Sequence, residues 1–240
     1  MTDVTAIILA RGGSKGIVGK NLARVLGRPL IDWTILQLQA AGISRIFVST
    51  DSRQIAARAS SLGADTIDRP TELAGDDSQG DDSLVHAAEA LGLTDDAIIL
   101  CPQLTSPLRY PSDFVEAVIE FEFKRLDSLF SAVAFDDLCL WENSTPMKAV
   151  SYTPNNRKNR QDRAPQLVEN GSFYIMTAQG LLCSRNRLHG KIGTALMPKW
   201  TLPEIDDSSD LKLCEALMMA YDIPGKLTTL QNEHSITEST

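Results

Sequence analysis

Short apolar runs alternate with amphipathic stretches over the first part of the chain. Residues 5–10 and 46–50 are apolar and partly β-branched, a pattern typical of buried strands. Residues 29–41 and 52–62 carry apolar side chains at helical spacing, and a glycine follows each stretch, which favours a helix end there. The succession strand, helix, strand, helix predicts a parallel α/β unit.

The same alternation continues along the rest of the chain. Further strands are predicted at 65–68, 97–100, 128–135, 170–176 and 194–197, and further helices at 83–91, 111–125 and 208–221. Carboxylates accept hydrogen bonds from the free N–H groups of a first helical turn. We therefore expect Asp51 to cap the helix at 52–62, and Asp81 or Asp82 to cap the helix at 83–91.

The segment from Asp136 to Arg163 has no long periodic pattern. It carries aromatic side chains and a basic, asparagine-rich run, which predicts a hairpin or arm outside the main sheet. Such an arm is often a dimerisation element, and a mobile lid is the alternative. We expect residues 1–240 to form one domain that contains this arm as an insertion.

Composition restricts the function classes. The chain has 240 residues, of which 43% are apolar, and a formal net charge of −8, which argues against general binding to nucleic acid. No apolar run approaches the length of a membrane span, and the first residues show no signal-peptide pattern, so a cytoplasmic location is expected. The four cysteines and three histidines are scattered without metal-site spacing, so no zinc or disulfide framework is predicted.

A loop rich in glycine and positive charge follows the first predicted strand. Residues 11–21 read Arg-Gly-Gly-Ser-Lys-Gly-Ile-Val-Gly-Lys-Asn. The glycines let backbone N–H groups turn towards one point, and Arg11, Lys15 and Lys20 surround that point. This arrangement suits a polyanion such as a nucleoside triphosphate. The alternative is a glycine-rich turn between strand and helix that carries surface lysines.

Two common nucleotide-binding motifs do not fit this loop. Aligned with the P-loop pattern, residues 14–21 lack both the first glycine and the metal-binding hydroxyl. No G-x-G-x-x-G spacing can be found in it either, which excludes the dinucleotide-binding fingerprint. The sequence therefore disfavours a P-loop NTPase and a dinucleotide-dependent enzyme.

Two polar segments follow predicted strands and are expected to border a ligand. Residues 69–82 are polar and aperiodic, which predicts a loop over the strand ends that can read a base. Residues 101–109 leave the predicted strand at 97–100 and include Gln103, Thr105, Ser106 and Arg109. Open α/β sheets bind ligands beyond the carboxyl ends of their strands, so this segment is expected to form a substrate wall.

The order of these motifs resembles that of the CMP-sugar synthetases, in particular the acylneuraminate (sialic acid) cytidylyltransferase branch. The resemblance covers most of the chain. The motifs that carry it are Leu9 to Gly16 with Gly19-Lys20-Asn21, Arg69-Pro70 with Glu72-Leu73-Ala74, Gln103 followed by Thr105-Ser106-Pro107-Leu108-Arg109, Arg160-Gln161, and Asn170-Gly171 with Tyr174-Ile175.

This resemblance implies transfer of CMP from CTP to the anomeric hydroxyl of a 3-deoxy-2-ulosonic acid, with release of pyrophosphate. It implies a Rossmann-like, mostly parallel sheet flanked by helices, of the nucleotide-diphospho-sugar transferase type, with Mg²⁺ as cofactor and a homodimeric assembly. CTP and a sugar acid are the expected partners, without a nucleic acid polymer or a membrane.

The resemblance also implies roles for individual residues. Nucleotide binding is assigned to Ala10, Arg11, Gly12, Gly13, Ser14, Lys15, Lys20, Asn21 and Arg69, the last near the cytosine. Sugar-acid binding is assigned to Gln103, Arg160, Gln161, Asn170 and Tyr174. Arg11, Lys20 and Asp206 are the expected catalytic residues, and Asp206 and Glu204 the expected metal ligands.

Three positions depart from the pattern of the family. Glu204 stands where an Asp usually begins an Asp-x-Asp pair, and the alternative for these acids is that they cap the last helix. Gln79-Gly80 stands where a hydroxyl-rich pair is usual, so contacts to the base are expected from the backbone. Val168-Glu169 stands where the sialic branch has an arginine, which leaves the identity of the sugar acid open.

Two other functions remain open from the sequence. One is a nucleotide-binding regulatory or scaffold protein on the same fold, which the altered acidic pair favours. The other is a sugar nucleotidyltransferase that uses ATP or GTP. The nucleoside triphosphate that raises the melting temperature distinguishes the latter from a CTP-dependent enzyme.

Overall fold

A seven-stranded sheet forms the centre of the computed structural model, which describes residues 4–13, 16–75, 78–135, 139–156, 158–162 and 166–227. The strands are β1 Val4–Leu9, β2 Arg24–Val25, β3 Arg28–Pro29, β4 Arg45–Thr50, β5 Asp65–Asp68, β6 Ile98–Pro102, β7 Ser128–Ala134, β8 Trp141–Glu142, β9 Lys148–Ala149, β10 Leu167–Thr177 and β11 Ile192–Met197. The α-helices are α1 Leu30–Ala40, α2 Arg53–Ser60, α3 Gly80–Ala90, α4 Pro111–Lys124, α5 Ala178–Ser184 and α6 Ser208–Ala220.

The central sheet has the strand order β11-β7-β10-β6-β1-β4-β5. Strand β10 runs antiparallel to both of its neighbours, and the other pairings in this sheet are parallel. The register of β10 against β7 shifts between Glu169 and Tyr174, and Gly171 within this irregularity has a φ of 62°. The predicted α/β class with a mostly parallel sheet is confirmed.

Alternate side chains of the central strands pack on opposite faces of the sheet. Ala6 and Ile8 of β1 belong to an apolar cluster that contains buried residues of α1, α2, α4 and α6. Ile7 belongs to a second cluster, formed with α3 and α5. Helices therefore cover both faces, as burial of both sides of a parallel sheet requires. No helix among the described residues is long and apolar enough to cross a membrane.

The caps of two helices differ from the prediction. Ser52, rather than Asp51, is the N-cap of α2, and its side chain accepts a hydrogen bond from Ile55 N. Helix α3 begins at Gly80, so Asp81 and Asp82 lie inside its first turn and cap nothing with their side chains. Instead, Asp81 pairs with Arg187 and Asp82 with Arg185. Asp51 accepts a hydrogen bond from Gly12 N, so long-range partners that sequence spacing does not show account for both differences.

The predicted arm contains a short hairpin in its described part. Strands β8 and β9 pair as an isolated two-stranded sheet, and the Trp141 ring packs edge-on against Tyr152 at 5.6 Å between centroids. Residues 136–138, 157 and 163 of the predicted arm lie outside the described residues. The hairpin lies outside the main sheet, and its role as a dimerisation element or a lid stays a prediction.

Candidate active site

A cavity of about 570 Å³ lies at the carboxyl ends of β1 and β6. Leu9 at the end of β1 and Cys101 and Pro102 at the end of β6 contribute to its wall. The glycine-rich loop, the segment that follows β5, the first turn of α3 and the segment before α6 supply most of the remaining wall. This is the edge at which open α/β sheets bind ligands.

Hydrogen bonds fix the glycine-rich loop to the rest of the protein both before and after residues 14 and 15. Gly12 N donates to Asp51 Oδ1 at 2.7 Å, and Asn21 Nδ2 donates to Arg11 O at 2.9 Å. A Cβ on Gly16 would collide with the backbone carbonyl oxygen of Asp206. The loop therefore needs glycine at position 16 to approach the segment before α6.

Four other residues predicted to bind the nucleotide show no contact within the described residues that tests this role. Ala10 is fully buried at the end of the strand, and its N–H donates to Ser49 O at 3.0 Å. Gly13 has open space where a Cβ would stand. Ser14 and Lys15 lie outside the described residues. The expected contacts of these four residues with a triphosphate stay predictions.

Three predicted cations line the same cavity. Arg11 Nη1 donates to Gly75 O at 3.0 Å. Lys20 Nζ donates to Ile205 O at 3.0 Å and to Asp206 Oδ1 at 3.1 Å. Arg69 donates from Nε and Nη2 to Oγ and O of Ser49, and burial lowers its pKa. Three fixed or paired cations around one cavity produce a strong preference for an anionic ligand.

The acids before α6 have separate partners. Asp207 is the N-cap of α6, and its Oδ1 accepts from Ser209 N at 2.7 Å and from Asp210 N at 3.2 Å. Asp210 Oδ2 accepts from Asp207 N at 2.9 Å and thereby completes the cap, and it also accepts from Asp206 N. The capping alternative for the acidic segment therefore applies to Asp207 and Asp210, whereas the carboxylate of Asp206 lies in the cavity wall beside Lys20.

Glu204 lies deeper than Asp206. Its Oε2 accepts from Thr105 Oγ1 at 3.3 Å, and a Cβ on Gly171 would collide with its Oε1. Burial is the main cause that raises the pKa of Glu204, and the negative charge of Asp206 raises it further. The two carboxylates therefore interact, and the glycine of β10 leaves room for one of them.

Two carboxylates suit a divalent cation that is bound mainly through the phosphates of a substrate. Carboxylate oxygens are hard donors, and Mg²⁺ is usually bound through one or two carboxylates together with substrate phosphates. The Asp206 side chain is 79% exposed, so one of its oxygens can meet a ligand. Among the residues that the structure describes, no group of three or more His, Cys, Asp or Glu side chains is arranged to hold a metal by itself.

The residues predicted for the sugar acid are more dispersed. Gln103 lines the cavity. Asn170 is buried, and its Nδ2 donates to Thr201 Oγ1 at 2.8 Å. Tyr174 donates from its hydroxyl to Glu169 Oε2 at 2.9 Å, and burial raises its pKa well above the usual range. Neither Asn170 nor Tyr174 is part of the cavity wall as the structure describes it.

The Arg160-Gln161 motif lies in a 3₁₀ turn, Arg160–Asp162. Gln161 is exposed, and the side chain of Arg160 lies outside the described part of the chain. The expected contact of these two residues with a sugar acid therefore stays a prediction.

Only part of the segment that follows β6 lines the cavity, although the sequence predicts a substrate wall for the whole segment. Gln103 and Thr105 line the cavity, whereas Ser106 and Arg109 are buried in the protein. The Arg109 guanidinium donates from Nη1 to Ser106 O at 2.6 Å and to Ser172 O at 2.9 Å. Burial lowers its pKa to about 9, so it stays charged at neutral pH. Arg109 therefore stabilises the loop from inside and does not face a ligand in the cavity.

Arg187 is a cavity residue that the sequence analysis did not identify. It lies between α5 and β11, and its Nε is ion-paired with Asp81 Oδ1. Its guanidinium carbon lies 4.8 Å from the centroid of the Tyr174 ring. Helix α5 was not predicted, although Thr177, whose side chain accepts from Gly180 N, is a suitable N-cap signal. No local pattern indicates that the loop after this helix returns to the cavity.

A cytidylyltransferase family model matches residues 5–151 of the chain. These residues include the glycine-rich loop, Arg69, α3 and the segment that follows β6. The match therefore covers more than half of the chain and most of the cavity wall described above.

Curated relatives extend the similarity along the chain. N-acylneuraminate cytidylyltransferase A from Danio rerio is 32% identical over 233 residues, which are 93% of this chain and 52% of that protein. N-acylneuraminate cytidylyltransferase from Escherichia coli is 29% identical over 256 residues, which are 98% of this chain and 56% of that protein. The chain spans about half the length of these relatives.

A solved structure shows the same fold. CMP:2-keto-3-deoxy-manno-octonic acid synthetase complexed with CTP superposes with a TM-score of 0.67 and covers 92% of this chain and 100% of its own. Its sequence identity of 19% makes this a likeness of fold alone.

Proposed function

The chain belongs to the cytidylyltransferase family, and from this premise we propose that it transfers CMP from CTP to the anomeric hydroxyl of a 3-deoxy-2-ulosonic acid. The reaction forms a bond between the hydroxyl oxygen and the α-phosphorus and breaks the bond from that phosphorus to the β-phosphate. The products are the CMP ester of the sugar acid, pyrophosphate and a proton. A sialic-acid-like nonulosonate is the proposed sugar, in agreement with the names of the relatives.

The observation that carries this proposal is the arrangement of Arg11, Lys20 and Arg69 around one cavity at the carboxyl ends of β1 and β6. Nucleotidyl transfer requires little covalent chemistry from the protein. Alignment of the reactants and stabilisation of charge therefore account for most of the rate enhancement. Lys20, near the end of the glycine-rich loop, donates to Ile205 O and Asp206. We assign it to the α-phosphate, with Arg11 beside the leaving pyrophosphate.

Arg69 and Asn21 hold the nucleoside part in this proposal. Both side chains are buried and fixed by protein hydrogen bonds, Arg69 to Ser49 and Asn21 to Arg11 O. Fixed donors lose little conformational freedom when they bind a ligand, so they orient it at low cost. We place Arg69 near the cytosine and Asn21 near the ribose.

Asp206 and Glu204 are the proposed ligands of Mg²⁺. When bound, the cation would neutralise charge on the triphosphate and polarise the phosphorus that is attacked. In this chain Lys20 already offsets the charge of Asp206, and Thr105 donates to Glu204. These contacts attach both carboxylates to residues of the cavity wall, Lys20 and Thr105, although Glu204 itself is not among the described wall residues.

The sugar acid is proposed to bind beyond Gln103, on the side of β10. The carboxylate of Glu169 accepts from Tyr174 at the position where the resemblance leads us to expect an arginine. The cation that meets the substrate carboxylate must therefore come from another position, and Arg160 is our candidate.

A pyrophosphate-release assay tests the proposed function. It combines the protein, CTP, Mg²⁺ and a panel of nonulosonic and octulosonic acids. We expect release that depends on one class of sugar acid and on CTP, with UTP, ATP and GTP much less effective. If CTP binds and no member of the panel supports release, the protein is a nucleotide-binding regulator, and our proposal is wrong.

We also propose that the segment 136–163 supports a homodimer. Leu140, Trp141, Met147 and Val150 expose apolar side chains on and beside the hairpin. A second copy of the chain would bury this surface. Deletion of the segment is expected to yield monomers in light scattering, and an intact dimer after deletion would contradict the proposal.

A further inference from the structure

Arg187 is fixed on two sides at one end of the cavity. Its Nε is ion-paired with Asp81 in the first turn of α3, and its guanidinium carbon lies over the Tyr174 ring, 4.8 Å from the centroid. Its side chain is 17% exposed. A guanidinium that is packed on a ring and ion-paired in this way loses little further freedom when it binds a ligand.

The outer edge of this guanidinium is available to a ligand. Nη1 and Nη2 form no hydrogen bond with any residue in the described ranges, and neither atom is sealed from solvent. Arg187 belongs to the cavity wall, so its open edge borders the cavity. A nearly buried cationic donor without a protein acceptor is best satisfied by an acceptor on the ligand.

Gly80 makes room for this edge. A Cβ built on Gly80 would lie 2.7 Å from Arg187 Nη2. Any larger residue at position 80 would therefore displace the guanidinium. Gln79-Gly80 is also the position where a hydroxyl-rich pair is expected from the resemblance, so this chain has a guanidinium, and no hydroxyl, beside position 80.

Arg69 borders the same cavity with a second open donor. Its Nε and Nη2 are used by Ser49, and its Nη1 has no acceptor among the described residues. Cys101 also lies in the cavity wall, and the positive charges of Arg187 and Arg69 both act on its thiol. Two guanidinium edges therefore face one end of the cavity.

We propose that Arg187 is a specificity-determining residue that reads the pyrimidine of the nucleoside triphosphate together with Arg69. Cytosine presents two adjacent acceptors, O2 and N3, whereas N3 of uracil carries a hydrogen and would oppose a donor. In this proposal Arg187 supplies a side-chain donor beside Gly80. This inference rests on the proposed function and adds a residue to its base-binding end.

Binding measurements separate base reading from phosphate binding. Isothermal titration calorimetry in the presence of Mg²⁺ gives Kd for CTP, UTP and inorganic tripolyphosphate with the wild type, Arg187→Met, Arg187→Lys and Gly80→Ser. Arg185→Met is the matched control, because Arg185 forms a similar ion pair with Asp82 at 2.9 Å but is not part of the cavity wall.

We expect Arg187→Met to weaken CTP binding by at least about tenfold and to remove most of the preference for CTP over UTP. Its Kd for tripolyphosphate should equal that of the wild type, since the phosphate end is unchanged. Gly80→Ser should act in the same direction by displacing the guanidinium. Arg187→Lys should be intermediate, because the charge remains and the planar fork is lost.

If Arg187→Met keeps the wild-type ratio of CTP to UTP affinity, the inference is wrong. A preference of the wild type for CTP would still support the proposed function in that case. Equal losses for CTP and tripolyphosphate, or the same loss in Arg185→Met, also overturn it. A wild type that does not distinguish CTP from UTP contradicts the proposed function itself. If Arg187→Met does not fold, the ratio in Arg187→Lys and Gly80→Ser decides.

Discussion

The proposed nucleotide side and the proposed sugar side of the cavity are constructed differently. On the nucleotide side, Arg11, Lys20 and Arg69 line the cavity, and each is held by a backbone or side-chain partner. On the sugar side, Asn170 and Tyr174 make their hydrogen bonds to protein groups, and Gln103 is the one described side chain of the predicted sugar site that lines the wall.

This difference follows from the topology. Parallel strands β1, β4 and β6 end at one edge, so the loops after them converge on one point. Strand β10 is antiparallel and has an irregular register at the Asn170-Gly171 motif, so its side chains depend on neighbours from β7 and from the segment before α6. We infer that the nucleotide side is preorganised, whereas the sugar side depends more on contacts made after binding.

Replacement of Lys20 tests the nucleotide side with the largest expected effect. Lys20→Ala should lower kcat by roughly 10²–10³, because a fixed charge at phosphorus matters most in the transition state. CTP affinity should fall much less. Steady-state kinetics with calorimetric Kd values measure this difference.

The control for Lys20 is Lys148→Ala, which removes an exposed lysine that lies 3.9 Å from Glu142 in the hairpin. Equal losses in kcat and CTP affinity for Lys20→Ala would make Lys20 a ground-state anchor and would contradict its assignment to the α-phosphate.

Replacement of Arg109 tests how the sugar side is supported. Arg109→Met should lower stability by about 3 kcal/mol, because it leaves the Ser106 and Ser172 carbonyls without their buried donor. The expected fall in Tm is roughly 10 °C. Thermal unfolding measures it, and a variant with normal Tm but no turnover would instead place Arg109 in contact with substrate.

Neutralisation of Asp206 tests the link between the two sides. Asp206→Asn should fold normally, still bind CTP without metal, and lose roughly tenfold to a hundredfold in turnover, with partial recovery at high Mg²⁺. The matched control is Asp210→Asn, which should lower Tm through the cap of α6. Wild-type turnover of Asp206→Asn at low Mg²⁺ would contradict the metal assignment.

Glu204 provides a test that depends on pH. Burial raises its pKa, so it takes up a proton at higher pH than an exposed glutamate. If the ionised form supports turnover, activity should decline on acidification while exposed acids are still charged. Glu204→Gln should lose several-fold activity and flatten this decline, and Glu204→Asp should be tolerated. A pH profile of Glu204→Gln identical to the wild type would exclude this role.

Replacement of Tyr174 should have the smallest effect. Tyr174→Phe removes the hydrogen bond to Glu169 and keeps the ring beneath Arg187, so stability should change by no more than about 1 kcal/mol. Turnover should stay within about threefold of the wild type. A tenfold rise in KM for the sugar acid would instead support direct contact between Tyr174 and the sugar.

The sequence predicted the fold better than the orientation of side chains. Apolar runs and amphipathic stretches indicate strands and helices because they depend on local periodicity. The positions of Asp51, Asp81 and Arg109 depend on Gly12, Arg187 and Ser172, which are far away in the chain. Arg187 itself has no local signal, since only the folded chain brings it beside Gly80.

The most direct test of the central claim is ³¹P NMR of the complete reaction. Protein, CTP, Mg²⁺ and the most active sugar acid of the panel are combined, and the phosphorus products are followed in time. We predict equal amounts of pyrophosphate and of a new phosphodiester, the CMP ester of the sugar acid. Pyrophosphate accompanied by an equal amount of free CMP from the outset would indicate hydrolysis and would contradict CMP transfer at this cavity.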